Sequence, residues 1–171
     1  LVSPVKLLFF TQKNACPTCL QQNELLEELV SFSDKLELKV YDFVLHGDES
    51  MKYKIDKIPA TVIEGKKDYG IRFYGLTAGY EFTSLLEAVI MVSTEQSGLD
   101  PQIESMVKDI KDHVHIQVIV TLTCPYCPKM VHTAQQFAFV NENIQADMVE
   151  ASEFPQLAQR YNVTSVPKTI V

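Results

Sequence analysis

All four cysteines of this 171-residue chain fall in two tetrapeptides of one form, Cys16-Pro17-Thr18-Cys19 and Cys124-Pro125-Tyr126-Cys127. Thiols at i and i+3 at a helix start share a face and can close a disulfide with little backbone movement. The first would stand at the helix N-terminus, where unpaired N–H groups and the macrodipole favour an anion and lower a thiol pKa below about 8.5. The second, one turn further in, would resolve a mixed disulfide formed by the first. The predicted chemistry is thiol–disulfide exchange, with Cys16 and Cys124 as nucleophiles and Cys19 and Cys127 as resolving thiols. It needs no cofactor beyond the redox-active disulfides. The inserted pairs Pro17-Thr18 and Pro125-Tyr126 would tune the thiolate and hence the redox poise.

A lone pair of this kind is weak evidence, because it also forms half of a structural zinc site. Zinc-binding pairs are usually about 15–20 residues apart, on turns rather than helix starts. Here 104 residues intervene and each pair contains proline, which favours redox over metal. A binding module that has lost its chemistry is a third reading, disfavoured by the presence of both thiols in both places.

The elements that must hold these thiols follow from the apolar pattern. Residues 5–10 form a short apolar run suited to a strand buried on both faces. After the first motif, apolar residues at 25, 26, 29 and 30 recur at helical spacing, predicting an amphipathic helix whose first turn holds the motif. Residues 37–44 read as a second strand, 47–54 as a short helix, and 58–63 as a third strand opening at Pro59, where a missing N–H is tolerated. Residues 69–74 complete a hairpin and 82–92 a closing helix. The order β-α-β-α-β-β-α predicts parallel βαβ units with an antiparallel edge. Residues 93–101 read as a linker, with Asp100 as N-cap and Pro101 as first residue of a helix reaching about residue 112.

Beyond it the pattern repeats: a strand at 115–120, the second motif, a helix at 130–140 and a strand at 146–151. Sliding the sequence by 108 residues superposes residues 5–63 on 113–171 without a gap and lays Pro59 on Pro167. The sequence therefore reads as a duplication, with a first unit at 1–97 and a second at 98–171. The second overlay stops inside its third strand, so the expectation is a second unit truncated there and a fragment rather than a natural end. Each proline stands 43 residues past its leading cysteine. The pairs Ile58-Pro59 and Val166-Pro167 are candidate substrate-binding edges, where an extended segment adds as a strand beside the disulfide.

Composition narrows the partners. Hydrophobic residues at 46% and charged residues at 22% are ordinary for a globular chain. A net charge of −7 with no Lys/Arg cluster argues against nucleic acid and anionic membranes as partners. No apolar run approaches the roughly 20 residues of a membrane span and the start lacks a signal-peptide pattern, so a cytoplasmic location is expected. His46, His115 and His132 read as loop, strand and packing residues rather than catalytic ones. Glu24, Glu27 and Glu28 read as a wet helix face.

The motifs carry a resemblance. Cys124-Pro125-Tyr126-Cys127 has the form usual in glutaredoxins, and two such units in one chain resemble the protein disulfide oxidoreductases of thermophilic archaea and bacteria. The resemblance covers nearly the whole chain. It implies two tandem thioredoxin-fold units, each a central mixed β-sheet flanked by helices, with cis bonds before Pro59 and Pro167. It also implies protein disulfide or dithiol substrates and a thioredoxin-reductase-like flavoprotein as electron donor. The tandem electron-relay modules that serve peroxidases are the alternative within the same chemistry. Two departures stand out. No Trp precedes either motif, and the acid that thioredoxins bury six residues before the first cysteine is replaced by Phe10 and Val118. Asp42 and Glu150, matched by the repeat, are the candidate substitutes.

Overall fold

Alternation of apolar side chains across extended segments builds one sheet with a core on each face. The computed structural model describes every residue except Ala15. Its elements run β1 (Val5–Thr11), α1 (Cys19–Ser31), β2 (Leu36–Asp42), α2 (Gly47–Lys52), β3 (Ala60–Glu64), β4 (Asp68–Tyr74) and α3 (Glu81–Thr94). There follow α4 (Pro101–Lys108), β5 (Val114–Val120), α5 (Cys127–Val140), β6 (Ile144–Glu150), α6 (Pro155–Arg160) and β7 (Lys168–Ile170). The fold is a mixed α/β, thioredoxin-like one, with a single seven-stranded sheet in the order β2-β1-β3-β4-β6-β5-β7.

In the first half β1 runs parallel to β2 and antiparallel to β3, and β4 closes a hairpin on β3. In the second half β5 likewise runs parallel to β6 and antiparallel to β7. The two sets are joined by a parallel pairing of β4 with β6, from Ile71 opposite Ala146 to Tyr74 opposite Val149. Nothing in the overlay discloses that pairing, because residues 71–74 have no partner within the repeat. Gly70 makes the approach possible: its φ is +76°, and a Cβ there would stand 2.8 Å from the Ile144 carbonyl oxygen. Arg72, 2% exposed at this junction, is satisfied by two bonds to Asp68 (2.6 and 2.8 Å) and by the carbonyls of Tyr53 and Ile71. A buried guanidinium is tolerated only when so fully bonded.

Val5, Leu7 and Phe9 point to one face and pack with α1, α3 and α5, together with Val118, Val120, Ala146 and Met148. Leu8 and Phe10 point to the other, with Val62, Tyr74, Ile119 and Val149, near Tyr53 and Ile55 behind α2 and Leu157 of α6. The run at 5–10 is thus buried on both sides, as a central strand requires.

Local boundaries differ from the sequence expectation by a few residues in several elements, α4 ending at Lys108 and β2 at Asp42 among them, and the short helix α6 lies outside that expectation. Both motif helices begin at the second cysteine, with Thr18 and Tyr126 as N-caps, so the first cysteine precedes the helix rather than standing in its first turn. The third strand starts at Ala60, after Pro59, since a residue without an N–H cannot donate to the ladder. The expected linker is shorter, because α3 continues to Thr94. There the buried Ser93 accepts bonds from the amides of Val2 and Ser3, tying the chain start to the helix end. Asp100 does cap α4, accepting from the Gln102 amide at 2.9 Å.

Candidate active site

Each cysteine pair lies where a strand end meets a helix start, and each is closed as a disulfide. Cys16 bonds Cys19 with Cα atoms 5.4 Å apart, and Cys124 bonds Cys127 at 5.5 Å. The burial differs. Cys19, Cys124 and Cys127 are buried, while Cys16 is half-buried behind an exposed Pro17. In the second motif the Cys127 amide donates to the Cys124 sulfur at 3.1 Å, so a helix-start N–H already points at the sulfur that the sequence marks as nucleophile. In the first, the Cys19 amide reaches the Cys16 carbonyl at 3.4 Å instead.

The Ile58–Pro59 and Val166–Pro167 peptide bonds are both cis. Pro59 is buried, its carbonyl accepting from the Gly75 amide at 2.9 Å, whereas Val166 and Pro167 are half-buried. Tyr126 is 77% exposed, and Thr18 is half-buried with its hydroxyl bonded to the carboxylate of Glu153, 135 residues away.

The two acids proposed as substitutes for the missing buried carboxylate do other work. Asp42 accepts from the amides of Val44 and Leu45 at the end of β2. The Leu45 amide is the main cause that holds its carboxyl below the usual range. Glu150 is buried but already bonded, to the Ser152 hydroxyl and the Glu153 amide.

One carboxylate overlooked in the sequence is buried with an oxygen to spare. Glu81 opens α3, is fully buried, bonds Ser84 at 2.7 Å with one oxygen, and leaves the other without a partner among the described residues. Burial pushes its carboxyl up to about 7. Its neighbours are locked onto the second motif's approach. The Tyr80 amide donates to the Leu122 carbonyl at 3.0 Å, and a Cβ on Gly79 would collide with that oxygen. Since α3 packs on α5, Glu81 and Cys127 begin neighbouring helices. One signal was available: position 81 continues the apolar stripe 85, 88, 92 by one turn, so a carboxylate there has to be buried.

His115 bonds Asp147 through Nε2 at 2.5 Å between β5 and β6, and His132 lies 3.5 Å from Glu87; neither joins the cysteines. Among the described residues no group of three or more Cys, His, Asp and Glu could hold a metal ion. No helix among them is long and apolar enough to cross a membrane.

Comparison with known proteins narrows the family. A thioredoxin domain model matches residues 114–171. The protein disulfide oxidoreductase of Aeropyrum pernix K1 superposes with a TM-score of 0.93 at 32% identity, covering 99% of this chain and 76% of that one. The chain belongs to the protein disulfide oxidoreductase family. The alkylhydroperoxide reductase component AhpF of Enterococcus faecalis (V583) shares this oxidoreductase fold with a TM-score of 0.92 at 30% identity, over 99% of this chain and 81% of that one. Among curated proteins the oxidoreductase chain is similar to the NADH dehydrogenase of Bacillus subtilis (28% identity) and to an alkyl hydroperoxide reductase component of Pseudomonas aeruginosa (29% identity). Each match covers 84% of this chain but 26% of the relative, so the chain spans about a quarter of their length. Thiol–disulfide exchange at its cysteine pairs is the chemistry that this family and this geometry share.

Proposed function

We propose that the chain consists of two tandem thioredoxin-fold units, residues 1–97 and 98–171, each exchanging dithiols and disulfides with protein substrates. The observation that carries this reading is the recurrence of one arrangement: a disulfide at a strand-to-helix junction and a cis-proline at the start of the neighbouring antiparallel strand. In the reducing direction Cys16 or Cys124, as thiolate, attacks a substrate disulfide; one substrate sulfur leaves as thiolate and a mixed disulfide forms. Cys19 or Cys127 then attacks the enzyme-side sulfur, releasing the second substrate thiol and closing the enzyme disulfide. Ile58-Pro59 and Val166-Pro167 present the backbone edge along which the substrate segment lies. Pro17, Thr18, Pro125 and Tyr126 set the surroundings of the attacking thiols.

For the second unit, Cys127 must lose a proton before it resolves. Glu81, which begins the adjacent helix and whose carboxyl is raised to about 7, is the acceptor in its ionised form, as its burial and free oxygen support. Electrons enter from a thioredoxin-reductase-like flavoprotein.

A second reading is favoured by one finding: several relatives are alkyl hydroperoxide reductase components, of which this chain spans about a quarter. The chain then relays electrons to a peroxidase instead of serving many substrates. Comparing turnover on insulin disulfides with turnover on an oxidised peroxiredoxin separates the two. General reduction predicts comparable rates, and a relay predicts a peroxiredoxin preference of about a hundredfold or more. Undiminished turnover by Cys16→Ser/Cys124→Ser on both substrates would remove both readings.

A further inference from the structure

Glu153 belongs to the turn between β6 and α6, yet its carboxylate reaches the first motif. One oxygen, Oε2, accepts from the Thr18 hydroxyl; the other, Oε1, accepts from the Leu76 amide at 2.7 Å. Its own amide is held by Glu150 Oε2 at 2.9 Å. The opposing loop is shaped around it. Gly75 has φ +106°, and a Cβ there would stand 2.9 Å from Glu153 Oε1 and 2.7 Å from the Glu150 Cβ. The Gly75 amide in turn bonds the Pro59 carbonyl.

Thr18 is the N-cap residue of α1, yet its hydroxyl caps no helix amide, as a threonine there ordinarily does. It donates to Glu153 instead. A carboxylate is thereby fixed at the N-terminal end of a 13-residue helix, beside the insert that separates Cys16 from Cys19. That end of the helix is also the feature that stabilises a Cys16 thiolate. Two anions sharing one helix terminus repel, so the first to be fixed disfavours the second. The second motif has no such neighbour at the matching place. Tyr126 stands where Thr18 does and is exposed, and the residue matching Glu153 in the first half is the exposed Leu45.

We propose that Glu153 is a positioning residue for the first disulfide, supplied by the other half of the molecule. It holds Thr18 and the loop beside Pro59, and its charge lowers the stability of reduced Cys16 so that the first couple is the stronger reductant. The proposal rests on the first motif being redox-active as described above. The step it affects is balanced as an exchange with a dithiol. Dithiothreitol loses two electrons and two protons and becomes a cyclic disulfide, while Cys16–Cys19 gains them as two thiols. Above its pKa the Cys16 thiol then releases a proton to solvent, leaving the thiolate that Glu153 opposes.

The test equilibrates the full chain, carrying Cys124→Ser and Cys127→Ser, with dithiothreitol of known reduced-to-oxidised ratio, and titrates the Cys16 thiolate by its ultraviolet absorbance. Glu153→Gln should shift the equilibrium constant about threefold to tenfold toward the reduced protein, and lower the Cys16 pKa. Glu153→Asp, which keeps the charge, should stay near the parent. The mirror chain with Cys16→Ser and Cys19→Ser should show no shift of the Cys124–Cys127 couple in either variant. An unchanged first couple in Glu153→Gln, equal shifts in both couples, or equal effects of Gln and Asp would each overturn the proposal. If the first couple of the parent cannot be reduced at all, the activity assigned to the first motif fails too, and the two failures are told apart.

Discussion

Cys19 starts its helix with an amide 3.4 Å from the Cys16 carbonyl, whereas Cys127 starts its own with an amide 3.1 Å from the Cys124 sulfur. The same four-residue form has therefore been set in two electrostatic surroundings. At the first motif the neighbouring carboxylate is bonded to the insert residue Thr18, the N-cap of α1. On the helix packed against the second motif's helix the carboxylate is Glu81, buried, with its carboxyl pushed up to about 7. A fixed anion disfavours a thiolate; a buried carboxyl that titrates near 7 does so only as it ionises. The N–H directed at Cys124 favours one. On the reading proposed above, two motifs of one form would be given different redox poise by residues outside them, Glu153 for the first and Glu81 for the second.

The largest effects should come from removing the nucleophiles one at a time. Cys16→Ser and Cys124→Ser are each expected to silence their own couple, a loss of about a thousandfold or more in the turnover that it supports. Insulin reduction with each single variant checks this. If either substitution silenced both couples, the motifs would work in series rather than side by side.

Next in size is Glu81→Gln, which should affect the second motif alone. With a carboxyl raised to about 7, proton acceptance from Cys127 should improve as pH rises through 7. The variant should lose that rise and about tenfold in turnover at pH 8, measured in the chain carrying Cys16→Ser. The sign for stability runs the other way. A carboxyl whose folded value is raised stabilises the fold at low pH, and that contribution is lost as pH climbs through about 7. Glu81→Gln should therefore be no less stable than the parent at pH 8, so a slower second motif there would not be a folding defect.

A smaller effect is expected of Gly79→Ala. At φ +59° the added Cβ would run into the Leu122 oxygen, so both backbone conformation and space are wrong. A cost of about 1–3 kcal/mol in denaturant unfolding is expected. The approach to Cys124 should loosen while the first couple keeps its potential.

What the sequence discloses and what it hides divide along a physical line. The cysteine pairs, their helices and the paired prolines are legible because i to i+3 geometry and strand starts are local, and the ungapped overlay checks each against its copy. The pairing of β4 with β6 is not, since Ile71 and Ala146 meet through a register that no local pattern encodes. The bond from Thr18 to Glu153 is hidden for the same reason: it spans 135 residues, and each side chain alone reads as an ordinary surface polar group. Asp42 shows the converse error. The repeat matched it with Glu150, but its carboxylate is used by the turn at Val44 and Leu45.

The smallest effect separates the halves by pH. His115 and Asp147 form a bonded pair in the second half, and the matching positions in the first are Leu7 and Lys39, which cannot do so. The bond to Asp147 is the main cause that raises the His115 pKa above its ordinary 6.5. A raised folded value means that the pair stabilises fully below about 6.5 and loses that stabilisation as pH rises past the folded value. Because the imidazole is 43% exposed, water screens the pair and the contribution should stay under about 1 kcal/mol. His115→Gln should flatten this slope in the unfolding midpoint between pH 6 and 8. Hydrogen exchange should show the change in β5 and β6 and leave β1 and β2 as they were. Equal changes in both pairs of strands would mean that the β4–β6 junction makes the sheet one cooperative unit, and the separation of the halves would then be limited to their chemistry.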